Sequence, residues 1–239
     1  MTALRRARRS LSLGMRADAV ELLDGGGLSR REVERNLADL ARLNRLPGGV
    51  DASVHGVGRL LPRRGDARIL DVGAGRGDMP IAFARRGWSV TALDTQTEVL
   101  LVLRRVTSDE ARIQVVDGDA RALPFEDAAF DVAHSSLLIH HLDPDAAVAA
   151  LREMRRVARH GVVINDLRRG LLPLFATAVS VTALARSRVT HDDGLASVRR
   201  AYTVGELDAL LDQAGLAARW RSTPWMPRVV TSATSTLPR

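Results

Sequence analysis

Cysteine is missing from the 239 residues, so the chain can build neither a disulfide framework nor a thiolate metal site. Nothing in the chain points to an oxidising compartment. Lysine is missing too, and every basic side chain is arginine. Aromatic residues make up only 3 % of the chain, which argues against the base-stacking platforms of single-strand nucleic-acid binders. Long hydrophobic runs are scarce. The longest, Leu171–Ala185, would span roughly 22 Å as a helix, short of the roughly 30 Å of a bilayer core. Residues 2–13 are basic but lack the apolar stretch and cleavage site of a secretory signal. The expectation is a cytoplasmic protein with no membrane span. No H-x-x-x-H or two-histidine-one-acid spacing stands out, so no metal is expected.

What is present fits one α/β domain with a sizeable core and some added helix. Hydrophobic content is 46 %. The formal net charge is +7 and the pI about 11.2. Arginines are spread along the chain, with small clusters at Arg5–Arg9, Arg63–Arg64 and Arg168–Arg169. A phosphate-binding surface is one reading of that charge, and solvated arginine on ordinary faces is the favoured one.

The most informative stretch is residues 69–78, ILDVGAGRGD. A short apolar run ends in a turn with glycine at 73, 75 and 77, and Asp78-Met79-Pro80 opens a helix with Asp78 as the expected N-cap. Strand, glycine turn and helix start together suit a nucleotide-like ligand, because glycine admits positive φ and the first helical amides offer donors. The spacing departs from the dinucleotide fingerprint G-x-G-x-x-G: the third glycine comes one residue early and Asp78 takes its place. Asp71, at the end of the strand, repels a pyrophosphate and suits a cationic amino group.

The elements around this stretch alternate. An amphipathic helix is expected over 16–23, stopped by Gly25-Gly26-Gly27. A capping box at Ser29–Glu32 opens a second helix to about Leu46, and a short third runs over 53–61. Strands are expected at 68–72, 89–93, 112–116, 130–135 and 161–165, with helices at 79–86, 95–105 and 145–158 between them. That alternation implies parallel βαβ units, whose ligands bind at the carboxyl ends of the strands. Asp71, Gly73, Asp94, Asp119, Ser135, His140, His141 and Asp166 all fall at such ends. Asp94, 23 residues after Asp71, suits a ribose diol. Residues 168–200 are an insertion holding the long apolar run. A second capping box, Thr203–Glu206, opens a helix over 207–214, and two strand-like runs, 216–221 and 228–234, close the chain.

The order D-x-G-x-G-x-G, then Asp94, then GDARALPF at 118–125, resembles the class I S-adenosylmethionine-dependent methyltransferases. FDVAHSSLLIHHL at 130–142, VVINDLRRG and HDDGLASVRRAYTVGEL look like small bacterial methyltransferases of polyketide, phenolic-lipid or quinone chemistry. The resemblance implies a Rossmann-like, mostly parallel seven-stranded sheet closed by an antiparallel hairpin. It implies a helical N-terminal cap over 1–64 and a methyltransferase domain over 65–239, with a lid near 168–200. It makes S-adenosylmethionine the cofactor and S-adenosylhomocysteine the product. The implied cofactor contacts are Asp71, Gly73, Ala74, Gly75, Asp94, Thr95, Asp119, Ala120 and Ser135, with Asp119 near the adenine amino group.

Methyl transfer to a hydroxyl needs a base for its proton, and histidine titrates in the right range. His140 is the leading candidate and His141 the next, with Asp166 to orient the base or hold the acceptor. His191-Asp192 in the insertion is a second candidate pair. The expected reaction is O-methylation of a small hydrophobic phenolic, polyketide or quinone-like acceptor, in a monomer or homodimer that does not bind nucleic acid. Alternatives left open are C-methylation of a quinone-like ring, RNA methylation, and a non-catalytic cofactor-binding partner of a biosynthetic enzyme.

Overall fold

The computed structural model describes residues 16–17, 28–62, 66–222 and 228–236. The helix expected over 16–23 lies almost wholly outside them. Seven strands form one sheet: β1 (Arg68–Val72), β2 (Ser89–Asp94), β3 (Ile113–Asp117), β4 (Phe130–Ser136), β5 (Ala158–Leu167), β6 (Leu216–Arg221) and β7 (Arg228–Ser235). Their order is β3-β2-β1-β4-β5-β7-β6. β1 to β5 pair in parallel, whereas β7 runs antiparallel to both β5 and β6. The mostly parallel sheet with a closing hairpin matches the expectation. β5 is longer than expected because β7 pairs along it as far as Leu167, so Asp166 lies within the strand instead of after it.

The helices are α1 (Arg30–Leu43), α2 (Val50–Leu60), α3 (Asp78–Ala84), α4 (Thr97–Val106), α5 (Pro144–Val157), α6 (Leu171–Leu184), α7 (Arg188–Arg200) and α8 (Val204–Gln213). Alternation along β1 divides the core. Ile69 faces α2 and α3, meeting Val57, Met79 and Phe83, while Leu70 and Val72 face α5 and α8, meeting Leu151, Met154 and Leu211. Burying each such side chain stabilises the fold by about 1.5–3 kcal/mol. Both capping boxes form, at Ser29–Glu32 and Thr203–Glu206.

At α3 the expectation needs correction. Gly77 is the N-cap, at φ 99°, and Asp78 is the first helical residue. A Cβ on Gly77 would sit 2.9 Å from Leu103 Cδ1, so both backbone and packing demand glycine there. The Asp78 carboxylate instead accepts from Asn44 Nδ2, joining the glycine turn to the end of α1.

The two N-terminal helices play different parts. α2 packs onto β4, β5 and β7 as part of the sheet's helical layer. α1 lies against α4, α6 and α7. Its buried Asp39 accepts from the Arg186 and Ser187 amides and the Thr190 hydroxyl, pinning the start of α7 to α1. α6 is apolar on all sides: Val181 is buried, but Leu171, Leu172, Phe175 and Val179 are exposed. Among the described residues no helix is long and apolar enough to cross a membrane.

Candidate active site

A cavity of about 420 Å³ opens over the carboxyl ends of β1, β2 and β4, within the size range of small-molecule sites. Asp71, Gly73, Ala74, Gly75, Asp94, Thr95 and Ala120, all named among the expected cofactor contacts, line it. Leu37, Leu40 and Asn44 of α1 also line it, from the cap side.

Gly73, Gly75 and Gly77 all take positive φ, which folds the turn back toward the ends of the strands. Asp94 accepts from the amides of Gly75 (3.1 Å), Thr95 (2.9 Å) and Gln96 (3.1 Å). A carboxylate has about four lone-pair sites, so capacity remains for a hydroxyl donor from a ligand. Burial raises the Asp94 pKa, and those three amides offset part of the rise.

Asp71 is fully buried at the cavity floor and takes a 2.6 Å hydrogen bond from His134 Nδ1 on the neighbouring strand. The other ring nitrogen of His134 meets Ser53 Oγ of α2 at 2.9 Å, and Ser53 accepts from Asn165 Nδ2 of β5. Because Ser53 accepts there, its own hydrogen is available to His134 Nε2, which places the ring hydrogen of Nδ1 toward Asp71. Burial raises the Asp71 pKa, against the pull of His134. The sequence reading did not single out His134, Ser53 or Asn165. Only the β1–β4 register, with Asp71 beside His134, brings the pair together.

Two implied contacts sit differently. The Asp119 carboxylate turns outward to Arg121, which holds its pKa below the ordinary range, while its neighbours Gly118 and Ala120 line the cavity. Ser135 is buried and does not line the cavity, whereas Ser136, the next residue along β4, does.

A second, smaller cavity of about 80 Å³ lies beneath α6 and α7. His140, Thr177, Val181, Asp193 and Arg228 line it. Leu40, Leu137 and His141 line both cavities, so the two meet at these three residues. His140 Nδ1 bonds Asp166 Oδ1 at 2.5 Å, and the His140 amide donates to Asp166 Oδ2 at 3.2 Å. Asp166 is buried, which by itself would raise its pKa; His140, the Leu167 amide and His141 outweigh that and hold it below the ordinary range. The His140 and His141 rings stack at 4.2 Å. Arg16 also reaches this turn, donating to the carbonyls of His140 and Leu142.

The second candidate pair, His191-Asp192, is exposed on α7, away from both cavities. The cavity-facing residues of α7 are Thr190, Asp193, Gly194 and Ser197, spaced i, i+3, i+4 and i+7. That stripe was readable in the sequence. Among the described residues no group of three or more histidines or acids is placed to hold a metal ion.

The donor set fits S-adenosylmethionine: a glycine turn open to close approach, Asp94 with room for a ribose hydroxyl, and a buried acid at the end of β1. Residues 69–161 match the family described as a methyltransferase domain. A malonyl-[acyl-carrier protein] O-methyltransferase of Pseudescherichia vulneris is 37 % identical over 115 residues, covering 47 % of this chain and 44 % of the relative. A demethylmenaquinone methyltransferase of Staphylococcus aureus is 36 % identical over 113 residues, covering 45 % of this chain and 46 % of the relative. The matched stretch thus spans about half the length of these curated relatives. A solved SAM-dependent methyltransferase from Aquifex aeolicus shares the fold, with a TM-score of 0.63, 17 % identity, and coverage of 86 % of this chain and 98 % of that one. Residues 69–161 therefore carry a methyltransferase domain, and that match supports S-adenosylmethionine as the cofactor.

Proposed function

We propose that the protein methylates a hydroxyl of a small hydrophobic acceptor, phenolic, polyketide-like or quinone-like, with His140 as the general base. When bound, S-adenosylmethionine supplies a methyl group already activated on a sulfonium. The protein's share of the work is then placing the acceptor and handling its proton. The observation that carries the reading is His140, bonded to Asp166, lining a small, mostly apolar cavity that joins the cofactor cavity at His141.

With Nδ1 turned to Asp166, His140 presents Nε2 as its basic nitrogen. Nε2 takes the proton of the acceptor hydroxyl, and the ionised Asp166 stabilises the imidazolium that results. His141 stands where the cavities meet and holds the acceptor oxygen toward the cofactor side. In the same reading α1 and the α6–α7 pair form a cover that keeps water out, tied together through Asp39 and through Arg42 bonded to the Leu184 carbonyl. Asp71 and Asp94 hold the cofactor's amino group and ribose. The names of the two relatives, one an O-methyltransferase and one acting on demethylmenaquinone, fit an acceptor of this kind.

Calorimetric titration with S-adenosylmethionine, S-adenosylhomocysteine and NAD tests the cofactor half, and a screen of phenols and quinones tests the acceptor half. The expected result is binding of the two sulfur compounds only, and methyl transfer to a hydroxyl. Transfer to a ring carbon alone would replace the oxygen chemistry with carbon chemistry.

A further inference from the structure

Two residues that line the small cavity each carry a buried polar atom with no hydrogen-bond partner among the described residues. Arg228, the first residue of β7, is 7 % exposed, and its Nη1 has no hydrogen-bond partner. Asn36 of α1 is 3 % exposed, and its Oδ1 has none either. Both residues line this cavity. The orientation of the Asn36 amide follows from its surroundings. Thr190 donates its hydroxyl hydrogen to the Asp39 carboxylate, so Thr190 Oγ1 must accept from Asn36 Nδ2, which turns Oδ1 away from that bond.

A buried guanidinium without a close anion is costly, and so is a buried amide oxygen without a donor. The acids whose charges act on Arg228, Asp78 and Asp166, are not bonded to it. Asp166 is committed to His140 and the Leu167 amide, and Asp78 to Asn44. Their charges reach Arg228 only at a distance, and burial still lowers its pKa to about 10, so it is cationic at neutral pH. Guanidinium is matched to planar oxyanions.

We propose that this cavity is a recognition subsite for an acidic methyl acceptor, in which Arg228 binds a carboxylate and Asn36 Oδ1 receives a hydrogen-bond donor other than the hydroxyl that is methylated. The proposal rests on the hydroxyl-methylation reading above and narrows its substrate class to hydrophobic hydroxy acids. An apolar cavity of about 150 Å³ takes benzene, so about 80 Å³ admits the acidic end of an acceptor while the rest extends past His141. Arg228 is then a specificity-determining residue on a different strand from the His140–Asp166 pair.

The test is calorimetric titration of protein saturated with S-adenosylhomocysteine, using 2-hydroxybenzoate, benzoate and phenol as probes, with native protein, R228M and R228K. Native protein is expected to bind 2-hydroxybenzoate at least about tenfold more tightly than phenol, with benzoate between them. R228M removes that preference, and R228K keeps part of it. Removing an unpaired buried charge should not unfold the protein, and a melting curve for each variant checks this. Equal affinity for phenol and 2-hydroxybenzoate, a preference that survives in R228M, or no binding of 2-hydroxybenzoate would each overturn the proposal. The two readings fail separately. Phenols methylated without any carboxylate preference would remove the subsite alone. A preference for the acid with no hydroxyl methylated would remove the O-methylation reading alone.

Discussion

Two buried histidine–carboxylate pairs lie at the carboxyl end of this sheet, and their hydrogen bonds are nearly the same length: 2.6 Å for Asp71–His134 and 2.5 Å for Asp166–His140. Their surroundings differ. His134 has Ser53 on its far nitrogen, Phe83 edge-on at 4.9 Å, and no cavity beside it. His140 lines a cavity and stacks on His141, which reaches the cofactor cavity. The His134 ring of the first pair is bonded at both nitrogens, and in the proposed reading the pair supports the cofactor floor. The second has one side facing the space where an acceptor would lie. A histidine–aspartate bond does not by itself mark a base; what the other edge of the ring faces decides its role.

Breaking the closed pair should have the largest effect on stability. H134A leaves Asp71 buried without its partner, a loss of about 3–5 kcal/mol, read as a large fall in melting temperature with cofactor affinity lost alongside. If H134A melted like the native protein, the supporting role would be wrong. H140A should instead leave folding and S-adenosylhomocysteine affinity in place and lower turnover by about a hundredfold or more, the usual share of a positioned base. D166N is also expected to lower turnover, by up to about 10⁴-fold, because an amide there loses the anion that sets the tautomer and stabilises the imidazolium. A steady-state comparison should show this loss in kcat more than in KM.

The pairs also differ in the sign of their pH effect. Asp166 is held below the ordinary carboxylate range, so its contribution to stability is present at neutral pH and is lost as pH falls through its folded pKa. Asp71 is raised, so its contribution is present at low pH and is lost as pH rises through its folded pKa. Melting temperatures followed from acid to neutral pH should therefore rise less steeply in D166N than in the native protein, and more steeply in D71N. Slopes changed in the same direction would contradict the assignment.

Much of this was legible in the sequence, for identifiable reasons. The glycine turn, Asp94 at the end of the next strand and the alternation of strands with helices are local patterns, and each stands where its spacing puts it. The capping boxes at Ser29 and Thr203 are equally local. What escaped depends on register or on side-chain direction. Asp71 and His134 are 63 residues apart and meet only because β1 and β4 pair in one particular register. Arg228 reads as an ordinary strand-opening residue until β7 is inserted between β5 and β6. Asp119 stands in the expected segment, but its carboxylate is drawn outward by Arg121, two residues on. On α7 the choice of His191-Asp192 missed the buried stripe by one residue, since the helical period that turns 190, 193, 194 and 197 inward leaves 191 and 192 exposed.

The most direct test of the central claim is transfer of an isotopically labelled methyl group from S-adenosylmethionine to a hydroxy acid such as 2-hydroxybenzoate, by native protein, H140A and H134A, with S-adenosylhomocysteine affinity measured beside it. The account predicts labelled ether from the native protein. It predicts intact affinity with turnover about a hundredfold lower in H140A, and weakened affinity in H134A. Native turnover in H140A, or lost cofactor affinity there with H134A unaffected, would reverse the roles of the two pairs and contradict it.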